Sequence, residues 1–408
     1  ETTSHGNQLL LQDFCTPLSS IGFSVSLASP PYFPSAEMGI QITKQDNMPP
    51  PPSDKPVVAC LHPYLEGRRE DIEKANYPKH HLWGLDAIEK HGDWQTEIIE
   101  TQNHRVPTLI EKWLDRTIFR GSPGAKVELA ALRATRRCDL VYSVCGPLVL
   151  VRRFRQAKLV SWVFREPPLL EKGPHLAHAA YRTKNLNAHA GFLCLTPKAE
   201  ETFRKYAPSR FLPWCVDLEL FDGKPAEASP ERPFFLATGK TERDYETLTQ
   251  VANKVNADVR VIGPASLRPA NLPPNLQWIN TSTDPPDQAI DYPTLREWYA
   301  QCIGVCIPLT GDADDTCGYT NLLEGMAMAK PVLMTKSGCL GLDPETEGCG
   351  LWIRPKDIED WRVKMNLLIE KPNLASEMGD KGRKIAERNF SPARFDADVV
   401  DFLKKLMQ

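Results

Sequence analysis

Hydrophobic and polar residues alternate in one repeating pattern from residue 55 almost to the end of the chain. Short β-branched apolar runs are separated by amphipathic stretches of about 10–15 residues, a pattern that predicts βαβ units and a parallel sheet. The first series of predicted strands covers residues 57–61, 97–99, 139–144, 159–164 and 192–196. Helices are predicted between and after them at residues 82–91, 109–115, 127–137 and 198–206.

The pattern restarts after a polar segment, residues 222–232, which contains Gly, Pro and Ser and is predicted to be a linker. Strands are then predicted at residues 234–238, 259–263, 276–279, 305–309, 332–335 and 351–354. Helices are predicted at residues 245–255, 294–302, 321–330, 358–370, 377–389 and 392–407. Two such series indicate two doubly wound α/β domains, which bind ligands outside the carboxyl ends of their strands.

This division predicts four segments. Residues 1–54 are rich in Ser and Pro, end in four prolines and are expected to form an extension and linker. The first domain spans residues 55–221 and the second spans residues 222–390. The amphipathic helix in residues 391–408 has an apolar face suited to packing across both domains.

Composition narrows the class of protein. The 408 residues are 41% hydrophobic and 25% charged, as in a globular protein with a sizeable core. The net charge of −3 implies no global attraction to nucleic acid or anionic membrane. The 11 cysteines are scattered, odd in number and without C-x-x-C spacing, so we expect reduced thiols, a cytoplasmic location and no zinc site.

A helix start after the strand at residues 305–309 carries the clearest candidate chemistry. Gly318 permits a tight turn there, and the helix is predicted to begin near Thr320 or Asn321. Unpaired amides at that point, together with the helix dipole, favour a diphosphate group. The amides concerned belong to Tyr319, Thr320 and Asn321.

Glu324, one turn into this helix, is placed to accept hydrogen bonds from a ribose diol. The alternative is that Asn321 is the N-cap, in which case Glu324 is the third helical residue and closes a capping box. The spacing alone leaves both interpretations open.

A second candidate element, residues 237–245, follows the first strand of the second domain. Gly239 lets the backbone approach a ligand closely, and Lys240 and Arg243 add positive charge suited to phosphates. A solvated pair of surface cations is the alternative interpretation.

These elements, in this order, resemble family 4 of the glycosyltransferases over residues 55–395. Residues 213–221 (PWCVDLELF) are similar to the family's P-x-G-V-D-x-x-x-F motif, with Cys215 in place of Gly. Residues 318–331 match its glycine, helix and Glu-x-x-A-x-x-x-P segment, with Gly325 where Ala is common. Residues 348–357 (GCGLWIRPKD) and 378–390 resemble the strand, turn and helix that follow.

The resemblance implies a GT-B fold, in which two Rossmann-like domains face each other across a cleft. It also implies a retaining transferase that moves a sugar from a nucleotide-diphosphate sugar to an acceptor hydroxyl without metal or cofactor. A UDP-sugar is the favoured donor, with GDP- and ADP-sugars as alternatives, and the acceptor is a small molecule, a glycan or a lipid. Lys240 and Arg243 would stabilise the departing diphosphate. The implied donor-binding residues are Gly239, Gly263, Gly318, Tyr319, Thr320, Asn321, Leu322 and Glu324.

The chain departs from the family at two points. The first acid of its E-x7-E pair is replaced by Thr316, although Asp315 is adjacent. Arg165 and Glu166 stand where a His near the reacting sugar is common; we take Glu166 as a catalytic candidate and Arg165 as an acceptor-side one, with an internal ion pair as the alternative.

His80 and His81 are further acceptor-side candidates, and a surface or helix-start role is the alternative for both. A phosphorylase or an epimerase on the same fold is a rival function, and so is a nucleotide-sugar-binding scaffold without activity. The basic stretch at residues 152–158, near Arg133, Arg136 and Arg137, is interpreted as a solvated helix face in preference to a site for anionic lipid. No basic platform interleaved with aromatics indicates nucleic-acid binding.

Overall fold

The computed structural model describes residues 55–65, 68–99, 101, 106–119, 123–154, 156–164, 183–226, 228–280, 290–311, 316–336 and 340–408. Four sequence predictions lie outside these residues: the N-terminal extension and the roles of Arg165, Glu166 and Asp315.

The first domain is built on a six-stranded parallel sheet in the order β2-β1-β3-β4-β5-β6. Its strands are β1 Val57–Leu61, β2 Gln95–Ile99, β3 Leu140–Ser143, β4 Lys158–Val163, β5 Gly191–Cys194 and β6 Ser209–Phe211. The α-helices are α1 Arg69–Glu73, α2 Leu85–Lys90, α3 Thr108–Arg116, α4 Ala125–Ala134 and α5 Pro197–Phe203. Short 3₁₀ helices lie at Pro63–Leu65, Lys79–Leu82 and Leu150–Arg153.

The second domain repeats this architecture, with the parallel order β12-β11-β10-β7-β8-β9. Its strands are β7 Phe234–Thr238, β8 Asp258–Gly263, β9 Leu276–Asn280, β10 Val305–Ile307, β11 Val332–Thr335 and β12 Gly350–Ile353. A 3₁₀ turn lies at Ala265–Leu267. The α-helices are α6 Tyr245–Ala252, α7 Tyr292–Gln301, α8 Tyr319–Ala327, α9 Ile358–Glu370, α10 Pro372–Asn389 and α11 Pro392–Met407.

The predicted fold class is confirmed by these two sheets. The central strands are continuous apolar runs because helices cover both faces of a parallel sheet, and all five residues of β7 are buried. Polar residues start several helices: Asp244, Asp291 and Asp357 each accept a hydrogen bond from the amide three residues later. The short elements β6 and α1 were not predicted, because neither is long enough to show a period.

The C-terminal helix α11 follows the second domain in sequence but packs on the first. Val399 lies against Gly84 at the start of α2, and Phe402 and Leu406 lie against Gly191 at the start of β5. Arg210 of β6 donates to the Asp401 carboxylate at 2.9 Å. Among the described residues, no helix has the length and apolar composition needed to span a membrane.

Candidate functional site

The strand order of the second sheet indicates where the candidate site lies. Successive strands are added to one side of β7 as far as β9 and to its other side from β10 onward, and in doubly wound sheets ligands bind in the crevice at the carboxyl ends of the two strands where the order reverses. The loop after β7 and the segment after β10 meet there, because Asp244 donates its amide to the Pro308 carbonyl and Thr310 donates to the Glu242 carbonyl. The helix α8 begins beyond the same segment.

Gly239 and Arg243 form one packed unit at the end of β7. The guanidinium of Arg243 lies directly over Gly239, so that a Cβ at position 239 would come within 2.3 Å of Nη2. Gly239 also has φ of +133°, a conformation that other residues rarely adopt. Position 239 therefore requires glycine for two reasons: its positive φ, and the Arg243 side chain packed directly on it.

Arg243 is held by three hydrogen bonds and is only 8% exposed. Its Nε donates to the Thr238 carbonyl at 3.2 Å and its Nη1 to the Thr241 carbonyl at 2.6 Å. Its Nη2 donates to Asn321 Oδ1 at 2.7 Å. These bonds use three of the five N–H donors of the guanidinium and fix its charge in place.

Asn321 joins the end of β7 to the first turn of α8. Besides accepting from Arg243, its amide group donates to the Thr238 hydroxyl and, at 3.5 Å, to the Glu324 carboxylate. The predicted donor-side residues on the two elements are thus brought together by one side chain.

The N-terminus of α8 is capped by Gly318, with φ of +83° and no side-chain cap. A Cβ at this position would lie 2.6 Å from Ile307 Cγ2, which again demands glycine. The first intrahelical bond runs from the Leu322 amide to the Gly318 carbonyl, and the Tyr319 amide donates to Thr316 at 3.3 Å. The amides of Thr320 and Asn321 therefore lie in the first turn, where helix geometry points them out of the helix start.

Glu324 lies in the sixth position of α8, so the capping-box interpretation is wrong: Gly318, and not Asn321, caps the helix. The Glu324 carboxylate is 3% exposed and accepts a hydrogen bond from the Tyr299 hydroxyl at 2.8 Å. Burial raises the pKa of Glu324 to about 7, against the opposing effect of the hydrogen bonds from Tyr299 and Asn321.

The other predicted donor-side residues differ in what they offer a ligand. Leu322 is buried and its amide is already bonded within the helix, so it presents no polar group. The Tyr319 ring is buried against Phe390. Gly263 packs so tightly on Trp278 that a Cβ there would lie 2.8 Å from the indole. Lys240 is exposed.

Two tyrosines support the site and were missed from the sequence. Tyr299 of α7 donates to Glu324, and the Tyr245 hydroxyl donates to the Gly239 carbonyl at 2.8 Å. Both lie in predicted helices, but no local motif marks a tyrosine whose partner is a distant residue of the fold.

His80 is enclosed where the first domain joins the segment between domains, and the surface interpretation is wrong. Its Nδ1 accepts a hydrogen bond from the Asp217 amide at 3.1 Å, and its ring stacks on Phe221. Burial lowers its pKa to about 3, so the imidazole is neutral. This placement ties two segments together and leaves His80 2% exposed.

His81 borders the second domain through an aromatic contact. Its ring lies 4.8 Å from that of Tyr77, which in turn meets Tyr292 of α7 edge-on at 5.1 Å. Burial lowers the pKa of His81 well below its usual value, and His62 Nε2 donates to its carbonyl at 2.8 Å.

Comparison with known proteins agrees with this geometry. No protein-family model and no curated protein sequence matches the chain. Among solved structures, sucrose-phosphate synthase of Thermosynechococcus elongatus has 14% identity and a TM-score of 0.58, over 86% of this chain and 99% of that one. A glycosyltransferase of Rickettsia africae has 14% identity and a TM-score of 0.59, over 87% and 100%.

The chain has the GT-B fold. Anabaena HepE, solved in complex with UDP-glucose, is a further structure of this kind, with 11% identity and a TM-score of 0.53 over 86% of this chain and 100% of that one. At these identities the similarity establishes the architecture, and the activity has to be argued from the site.

Proposed function

We propose that the protein is a retaining glycosyltransferase that moves a hexose from a UDP-sugar to an acceptor hydroxyl. The observation that carries the proposal is the set of Arg243, Asn321 and Glu324, joined by hydrogen bonds at the switch point of a GT-B fold. The fixed cation of Arg243, the N-terminus of α8 and the buried Glu324 carboxylate lie next to one another there.

Each member of this set suits one part of a nucleotide sugar. The positive charge of Arg243 and the amides of Thr320 and Asn321 complement a diphosphate. The Glu324 carboxylate, when ionised, accepts two hydrogen bonds from a ribose diol. UDP-glucose bound to Anabaena HepE supports the choice of a uridine donor.

The reaction breaks the bond between the anomeric carbon and the diphosphate oxygen and forms one to the acceptor oxygen. Negative charge develops on the departing diphosphate, where Arg243, Lys240 and the helix amides stabilise it most. The acceptor proton passes to the leaving phosphate on the same face of the sugar, which preserves the anomeric configuration. In this proposal Lys240 is the mobile cation, because it is exposed while Arg243 is held.

The experiment is to incubate the protein with a UDP-sugar and a panel of acceptors, quantify UDP release and determine the product anomer by NMR. We expect UDP release that depends on acceptor, and a product with the donor's anomeric configuration. Release of sugar phosphate would instead identify a phosphorylase, and an inverted anomer would contradict the retaining mechanism.

Lys240→Ala tests the assigned charge stabilisation. Loss of one transition-state contact is expected to lower kcat by about 100- to 1,000-fold. Lys254→Ala, which removes another exposed lysine of the second domain, is the matched control and should leave kcat unchanged. Equal kcat for both variants would remove Lys240 from the mechanism.

A further inference from the structure

The helix α3 of the first domain turns its apolar side to solvent. Leu109 is 83% exposed, Ile110 51% and Trp113 59%, and Ile118 just beyond the helix is 45% exposed. These are four of the five large exposed hydrophobic side chains among the residues that the structure describes. Positions 109, 110 and 113 are spaced i, i+1 and i+4, so they share one side of the helix.

The acidic side chains of α3 face the protein. Asp115 Oδ1 accepts a hydrogen bond from the Ala125 amide at 2.7 Å, which fixes the start of α4. Glu111 pairs with Lys126 at 3.1 Å. The two acids of α3 are therefore used for packing on α4 and Leu114 is half-buried, whereas Leu109, Ile110 and Trp113 stay exposed.

The charges left on the outer surface of α3 are positive. Lys112 and Arg116 are exposed beside the apolar side, and neither forms an ion pair with another described residue. At the other end of α4, about 15 Å away for ten helical residues, a groove is lined by Leu132, Leu150, Arg136 and Arg153. The two leucines of this groove are half-buried, and its arginines Arg136 and Arg153 are exposed.

We propose that α3 docks on an anionic lipid bilayer, with Leu109, Ile110 and Trp113 inserted at the level of the headgroups. Trp is suited to this boundary because its ring is apolar and its N–H is polar. Lys112 and Arg116, flanking the inserted side, complement anionic headgroups. The two unpaired charges that the described residues place on this side, Lys112 and Arg116, are both positive, and together with the exposed Trp113 they favour an anionic membrane over a protein partner.

This inference does not depend on glycosyl transfer. It concerns a different surface from the basic stretch at residues 152–158, which was interpreted as a solvated face and whose Arg152 and Arg153 are exposed. The deciding observation is the outward apolar side of α3, which periodicity alone does not orient.

The test is co-sedimentation of the full chain with vesicles of phosphatidylcholine alone and of phosphatidylcholine mixed with phosphatidylserine. We expect binding to the anionic vesicles, little binding to the neutral ones, and weakening by salt. The double variant Leu109→Ser with Trp113→Ser should lose about tenfold or more in affinity, because two large apolar side chains no longer insert. Lys112→Glu with Arg116→Glu should lose the anionic preference, also by about tenfold or more.

Val363→Ser is the matched control, because Val363 is the remaining exposed large hydrophobic residue of the described set, at 50%, and lies on α9 of the other domain. It should bind vesicles like the wild type. No vesicle binding, or equal binding by the Leu109/Trp113 variant, would overturn the proposal.

Two further measurements on the Leu109/Trp113 variant distinguish other occupants of this surface. If the variant has a lower Tm than the wild type, and the wild type does not bind vesicles, another segment of the chain covers α3. A wild-type dimer that the variant converts to monomer would mean that a second copy covers it. Either result would also overturn the proposal.

Discussion

Gly239→Ala is the substitution whose effect follows most directly from the geometry of the site. The added methyl would lie 2.3 Å from Arg243 Nη2 and 2.5 Å from Cζ, so the guanidinium has to leave its position. Its hydrogen bonds to the Thr238 carbonyl and to Asn321 are then lost. A charged hydrogen bond contributes about 1.5–3 kcal/mol, and a non-glycine residue at such a φ costs about 1–3 kcal/mol.

Because the chain relaxes around the displaced side chain, we expect Gly239→Ala to destabilise the protein by about 3–5 kcal/mol. Thermal melting detects this as a fall in Tm of about 2–4 °C for each kcal/mol. Gly92→Ala is the matched control: a Cβ there would meet no atom within 4 Å, and its Tm should match that of the wild type.

A double-mutant cycle isolates the cause. In an Arg243→Ala background the methyl has nothing to displace, so Gly239→Ala should cost about 2 kcal/mol less there than in the wild type. Strict additivity, or a Gly239→Ala protein that melts like the Gly92→Ala control, would refute the packing of Arg243 over Gly239.

Three further predictions concern the carboxylate and the packing behind it. Affinity for UDP-glucose should rise with pH up to about 7, by at most about tenfold per pH unit. The reason is that Glu324 has a raised pKa and binds the ribose as the anion. Titration calorimetry across this range should show that the pH dependence of the affinity disappears in Glu324→Gln. The free energy of unfolding should change with the opposite sign, since a carboxyl whose folded pKa is raised loses stabilisation as pH rises from its ordinary pKa of 4.5 to about 7. Tyr299→Phe removes a hydrogen bond that favours the anion, so the affinity transition should move to higher pH; an unmoved transition would show that Tyr299 does not tune Glu324. Gly379→Ala places a methyl 1.9 Å from the Ala329 carbonyl oxygen. We expect the free energy of unfolding, measured by urea denaturation, to fall by about 2–4 kcal/mol. An unchanged free energy of unfolding would contradict the close packing of α10 on the end of α8.

The fold was readable from the sequence because its strands are apolar runs with sharp ends. The predicted strands at residues 57–61, 234–238 and 332–335 have the bounds that the structure shows. Proline and polar residues mark those ends, and the alternation with helical periods specifies parallel pairing.

The candidate site was readable only in part, because its local signals are ambiguous. Gly318, Thr320 and Asn321 are all acceptable at the start of a helix, and choosing Asn321 would have made Glu324 a capping residue. The turn at Gly318, packed on Ile307 of β10, decides this through a tertiary contact that the motif does not show. The link between His80 and Asp217 joins residues 137 positions apart, so no periodicity reveals it.

The measurement that tests the central claim most directly is a thermal-shift titration with UDP-, GDP- and ADP-sugars on the wild type, Glu324→Ala and the exposed control Glu359→Ala. A ligand that binds the folded state raises Tm in proportion to RT ln(1 + [L]/Kd). We predict that one donor class, the UDP-sugars, stabilises the wild type and the control, and binds Glu324→Ala more weakly by about 2–4 kcal/mol. Stabilisation of folded Glu324→Ala equal to that of the wild type, or no stabilisation by any donor, would contradict a nucleotide-sugar site at the start of α8.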